Sequence, residues 1–127
     1  MASERTQTLR GALEAVDRVL NRGGDADDVL REVVAILHER AGFPWAGIAF
    51  AEEGDLVLGP WSGERAVGRE PVSLPVSFQG TRVAELKVEA GELDEEGRAF
   101  LERVALVISP YCLVGWDTGG VPWSDVS

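Results

Sequence analysis

The chain has 127 residues, 45% hydrophobic and 27% charged, with 12 Lys and Arg against 22 Asp and Glu and a formal net charge of −10. That length suits one domain with a core of its own, without disulfide or metal staples. The acidic balance argues against nucleic-acid phosphates and anionic membrane surfaces, so neither is expected as a partner.

Lys87 is the only lysine and Cys112 the only cysteine. A single cysteine excludes an intrachain disulfide and any multi-cysteine metal site, and it fits a reducing compartment. The opening residues, MASERTQTLRGALEAV, hold no apolar run of signal-peptide type, and no stretch is long and apolar enough to span a bilayer. A cytoplasmic location is the expectation. No cofactor motif is visible.

Residues 3–22 are predicted as a first helix, with Ser3 placed to cap it. Leu9, Leu13, Val16 and Leu20 recur at steps of four, three and four, a narrow stripe closer to a coiled-coil seam than to a broad core face. Packing within the domain and pairing of two copies through that seam are both open. Gly23 and Gly24 end the helix. Asp25 to Ala41 is predicted as a second helix, with Asp25, Asp27 and Asp28 at its positive dipole end. Val29, Leu30, Val33, Val34, Ile36 and Leu37 give it a broad apolar face. His38, the one histidine, has no nucleophile beside it and reads as an ordinary helix residue.

Pro44 breaks the helix, and Trp45 to Ala51 follows as a strand whose small residues Gly47, Ala49 and Ala51 permit close approach. An acidic turn leads into a second strand at Leu56–Gly59. Pro60 to Arg69 is predicted as a connection, with Trp61, Arg65 and Arg69 offering an aromatic face and two guanidinium groups to an anionic or planar ligand. A plain surface loop is the competing reading.

Glu70 to Ala90 reads as a hairpin turning at Gln79-Gly80-Thr81. Val72, Leu74, Val76 and Phe78 alternate with polar residues on one arm. Ala84, Leu86 and Val88 alternate with Glu85, Lys87 and Glu89 on the other. Pro71 and Pro75 give the first arm the character of an edge strand. Asp94 caps a last helix, apolar over much of its girth toward Val107, Tyr111 and Val114, with Pro110 expected to kink it. Cys112 lies in that apolar stretch and reads as an inert thiol. Residues 117–127 are a Gly- and Pro-broken tail, mobile unless Trp123 docks.

Three pieces in order, VVAILHERAGFPWAGIAF (33–50), VSLPVSFQGTRVAELKV (72–88) and LDEEGRAFLERVALVI (93–108), resemble a GAF domain. The resemblance implies an α+β fold: an antiparallel sheet with the N- and C-terminal helices together on one face. On the other face, family members close a small-molecule pocket with the connection between hairpins. Many are sensors, and many dimerise through their terminal helices. The expected division is a helix at 1–24 with a possible dimer seam, a GAF-like domain at 25–116 and a tail at 117–127.

This chain departs from the pattern. Its connection from Gly59 to Glu70 is short, Ala84 stands where the family has glycine, and Glu85, Lys87 and Glu89 suit water better than a dry pocket. The lid is therefore expected to be shortened and the pocket shallow. One branch of the family reduces free methionine sulfoxide with several cysteines, which Cys112 alone does not match. The sequence thus favours a non-catalytic regulatory or interaction module, not an enzyme, homodimeric through Leu9, Leu13, Val16, Leu20, Val107 and Val114. An unknown protein partner is compatible with that reading. The alternative is a small-molecule sensor with a site formed by Phe50, Trp61, Arg65 and Phe78.

Overall fold

A computed structural model describes residues 4–52, 54–66, 68, 70–113 and 121–123. The elements are α1 (Glu4–Arg22), α2 (Ala26–Glu39), β1 (Trp45–Glu52), β2 (Asp55–Gly63), β3 (Val72–Phe78), β4 (Thr81–Glu89), α3 (Glu95–Ile108), a 3-10 turn (Ser109–Cys112) and the two-residue β5 (Val121–Pro122). The strands form one antiparallel sheet in the order β3-β4-β1-β2-β5. The fold is α+β and GAF-like, with the helices on one face.

The period-two pattern of the strands builds that face. Ala46, Ile48 and Phe50 of β1, Leu74 and Val76 of β3, and Ala84, Leu86 and Val88 of β4 all join the core under the helices. Val29, Leu30, Val33, Val34 and Leu37 of α2 and Phe100, Leu101, Val104 and Ile108 of α3 pack onto them. Asp25 and Asp94 cap α2 and α3, accepting from the backbone N–H of Asp27 and of Gly97. Pro110 does not kink α3. The α-helix ends at Ile108 and the chain tightens into the 3-10 turn, where proline near the start lacks only a donor that has no partner there.

Helix α1 packs against α2 and α3 instead of facing out. Leu9 and Val16 are buried in the same core as the sheet residues, which corrects their assignment to a seam between copies. Leu13, Leu20 and Val107 are partly buried against that core, while Val114 lies outside the described residues. A narrow stripe suffices because α1 covers a groove between two helices, not a sheet. Tyr111 Oη donates to the Leu20 carbonyl at 3.0 Å and ties the 3-10 turn to α1. Among the described residues no helix is long and apolar enough to cross a membrane.

Strand β2 is longer than its sequence suggests. It runs through Pro60 to Gly63, pairing Trp61 with Gly47 and Gly63 with Trp45. Pro60 is tolerated because the β1–β2 register shifts between Gly47 and Ala49, so that Gly59 and Pro60 together face Ile48 in a bulge. Gly63 (φ 96°) lets the chain turn off the edge beneath α2. A Cβ there would stand 2.2 Å from the Pro44 carbonyl oxygen and 2.9 Å from His38 Nδ1. His38 Nδ1 in turn lies 2.8 Å from the Phe43 carbonyl oxygen, fastening the end of α2 to the entry of β1.

Candidate functional site on the second face of the sheet

The residues that alternate with the core positions make up the sheet's other face. Directly opposed residues of an antiparallel pair share a face, so the register defines three rows. Glu89, Trp45 and Gly63 form the first. Ser73, Lys87, Gly47 and Trp61 form the second, and Pro75, Glu85, Ala49 and Leu58 the third. Charged residues here suggest a wet surface, yet Trp45, Ala49, Leu58, Lys87 and Glu89 are all buried. The cover comes from the segment after Gly63 and from the chain at 121–123.

Glu89 anchors the first piece of cover. Its carboxylate accepts from the Ala66 backbone N–H at 2.9 Å and from Arg65 Nε at 3.3 Å. The pair is well enclosed, with side chains 15% and 6% exposed for Arg65 and Glu89. Lys87 Nζ donates to Ser73 Oγ at 2.8 Å and to Glu85 Oε1 at 3.1 Å. Each charge entering this face therefore has an opposite charge beside it, the condition for burying ions at tolerable cost.

Two indoles complete the cover. The Trp45 ring lies along β1 over Gly47, where a Cβ would approach its Cη2 to 2.6 Å and its Cζ2 to 2.9 Å. Trp123, following β5, stands with its ring centroid 6.2 Å from that of Trp45 at an interplanar angle of 42°. The Arg65 guanidinium carbon is 5.2 Å from the Trp45 centroid and 5.1 Å from that of Trp123, so it bridges both rings. Lys87 Nζ lies 4.3 Å from the Trp123 centroid. These are cation–π distances in an enclosed setting, where such contacts are strongest.

The residues expected at a ligand site are thus divided. Arg65 is in the chamber, and Trp61 is on the same face but 57% exposed. Phe50 is on the helix side, because its place in the β1 alternation matches Ile48 and Ala46. Phe78 pairs with Thr81 at the hairpin turn, about 25 Å along β4 from Glu89 at the usual strand rise. Sequence reasoning missed Trp45, Glu85, Lys87, Glu89 and Trp123 as site residues. The signal that could have found them is the run of charges on the inner strand β4 opposite Trp45.

Cys112 is remote from this chamber, buried with the helix-side core. Burial disfavours the thiolate and pushes its pKa up to about 12. Among the described residues no group of three or more His, Cys, Asp or Glu could hold a metal ion.

No protein-family model matches the chain, and no curated protein matches it in sequence. Solved structures do match. A free methionine-R-sulfoxide reductase from Neisseria meningitidis, in complex with its substrate, is 19% identical with a TM-score of 0.73, covering 88% of this chain and 92% of that one. The corresponding reductase of Staphylococcus aureus, also with substrate, is 15% identical with a TM-score of 0.64, covering 88% and 97%. The GAF domain of a phosphoenolpyruvate-protein phosphotransferase from Coxiella burnetii is 17% identical with a TM-score of 0.71, covering 86% and 94%. At these identities the likeness shows the fold. It also corrects two expectations, that the chain is a non-catalytic regulatory or interaction module and that it is not an enzyme. Reductases of free methionine sulfoxide share this architecture over nearly their whole length, so the fold does not set enzymes aside.

Proposed function

We propose that the chain binds a free amino acid or its sulfoxide on the second face of the sheet and acts on it as an enzyme. The observation that carries this reading is the charge-paired chamber of Arg65, Glu85, Lys87 and Glu89 walled by Trp45 and Trp123. A free amino acid brings one ammonium and one carboxylate, and the chamber offers a partner for each. What supports a sulfoxide is the company of substrate-bound reductases of the same fold.

Reduction of a sulfoxide consumes two thiols and yields the thioether, a disulfide and water. Cys112, buried on the helix side with its pKa raised to about 12, is poorly placed to supply either. In this proposal both thiols come from a small dithiol in solution. Free methionine-R-sulfoxide should raise the melting temperature, and Trp45→Ala should remove the shift. Methionine should form when dithiothreitol is added, at the same rate in Cys112→Ser. The absence of both a shift and methionine at millimolar substrate would overturn the proposal.

A homodimer and a cytoplasmic setting belong to the same proposal. The surface that supports pairing is the outer side of α3 and its 3-10 turn, where Leu106 and Leu113 are 60% and 50% exposed.

A further inference from the structure

Arg65 occupies the chamber as a ligand's cation would. Its guanidinium spans Trp45 and Trp123, and its Nε donates to Glu89, an anchor that also holds the Ala66 N–H. The segment carrying it is bounded by Gly63 (φ 96°) and Gly68 (φ 79°), backbone conformations that glycine adopts without strain. A carboxylate floor under two indole faces is the chemistry that recognises guanidinium and ammonium groups.

We infer that the Trp45–Trp123–Glu89 slot is a cation subsite, occupied in this structure by the chain's own Arg65, and that a ligand's guanidinium or ammonium group binds by taking Arg65's place. The inference rests on the proposed amino-acid site and assigns the slot to the ligand's positive end. Lys87 cannot be the occupant that leaves. It sits on the inner strand β4, held by Ser73 and Glu85. Arg65 can leave, because it lies beyond the end of β2 and outside the ladder.

A tethered group competes at an effective concentration of about millimolar order. Removing it should therefore strengthen binding of a free cation. The probes are methylguanidinium and choline, with acetate as the anionic control, at concentrations far below those that denature. In titration calorimetry, Arg65→Ala should bind methylguanidinium at least about tenfold more tightly than the unaltered protein, and acetate should bind neither. Tryptophan fluorescence should report the same event, since both walls are indoles.

Loss of the guanidinium leaves Glu89 buried without its charge partner, and Arg65→Ala can fail to fold for that reason. Arg65→Gln keeps a side-chain N–H donor beside Glu89 and serves as the second variant. Either variant should gain several degrees of melting temperature from methylguanidinium that the unaltered protein does not gain. Trp123→Ala combined with Arg65→Gln should lose that gain. Equal, weak binding to all forms would overturn the inference. So would a gain that acetate reproduces. If methionine sulfoxide binds but methylguanidinium does not, the cation subsite fails and the amino-acid reading stands. If methylguanidinium rescues the variants but no amino acid binds, the subsite stands and the amino-acid reading fails.

Discussion

Single residues of the same type have very different consequences here, and their surroundings decide which. Glu89 and Asp94 each meet an arginine, yet the Arg5–Asp94 pair is about half exposed on both sides, whereas Glu89 is buried and also holds the Ala66 N–H. Arg5→Ala should cost under about 1 kcal/mol. Glu89→Gln should cost about 2–3 kcal/mol in urea denaturation, because it leaves the Arg65 charge enclosed and weakens the tie to residue 66. Among glycines, Gly80 (φ 82°) has open space where a Cβ would go, and Gly80→Ala should cost about 1 kcal/mol of backbone strain. At Gly63 the same change adds a collision with the Pro44 carbonyl and should cost distinctly more. Cys112 gives a pH signature. Its pKa rises from 9.0 in the ordinary thiol to about 12 in the fold. Below pH 9 both states keep the proton and the contribution is whole. Between 9 and 12 the unfolded chain ionises and the native one does not, so stability falls by at most about 1.4 kcal/mol per pH unit. Cys112→Ala should flatten that part of the stability curve, measured as the difference between the two proteins.

At the scale of elements, local patterns and long-range cover differ in how far the sequence discloses them. The two capped helices and the hairpin at 72–89 were legible, since an Asp N-cap, a 3.6-residue stripe and a two-residue alternation are each written within a dozen residues. The continuation of β2 past Pro60 was not. It depends on what lies beside that edge, which no local pattern records. The placement of α1 was half legible: its stripe is plain, but whether another copy or α2 and α3 receives it is a tertiary matter. The second face was misjudged because Glu85, Lys87 and Glu89 look like a solvated stripe until Trp45, Arg65 and Trp123 are brought over them. β5 is only two residues, yet it brings Trp123 against Trp45 and both buried cations. Trp123→Ala should therefore shift tryptophan emission to longer wavelength, as water reaches Trp45, and lower the stability by about 2 kcal/mol. An unchanged spectrum would mean that β5 does not cover the chamber in solution.

For the whole molecule, the deciding question is which apolar surface the protomer uses on itself and which it leaves over. The sheet has helices on one side and a self-filled chamber on the other, and Val16 of α1 is 0% exposed within the single chain. An Asp at that position would place an unpaired carboxylate inside the one continuous core that also holds Leu9, Val33 and Ile108. Val16→Asp should thus prevent folding at 25 °C, read by circular dichroism, and should not yield a folded monomer. Leu106 is 60% exposed on α3, and replacing it removes little from the core. Leu106→Asp should leave the urea midpoint nearly unchanged, within about 0.5 kcal/mol. Pairing between copies as proposed, through Leu106 and Leu113, would work against the repulsion of two chains each carrying a formal charge of −10. Raising the salt concentration should favour the pair by screening that repulsion, and Leu106→Asp should abolish it at every salt concentration. Light scattering on the two variants separates the cases. A folded, monomeric Val16→Asp beside a dimeric parent would return α1 to the interface and show that its stripe faces another copy.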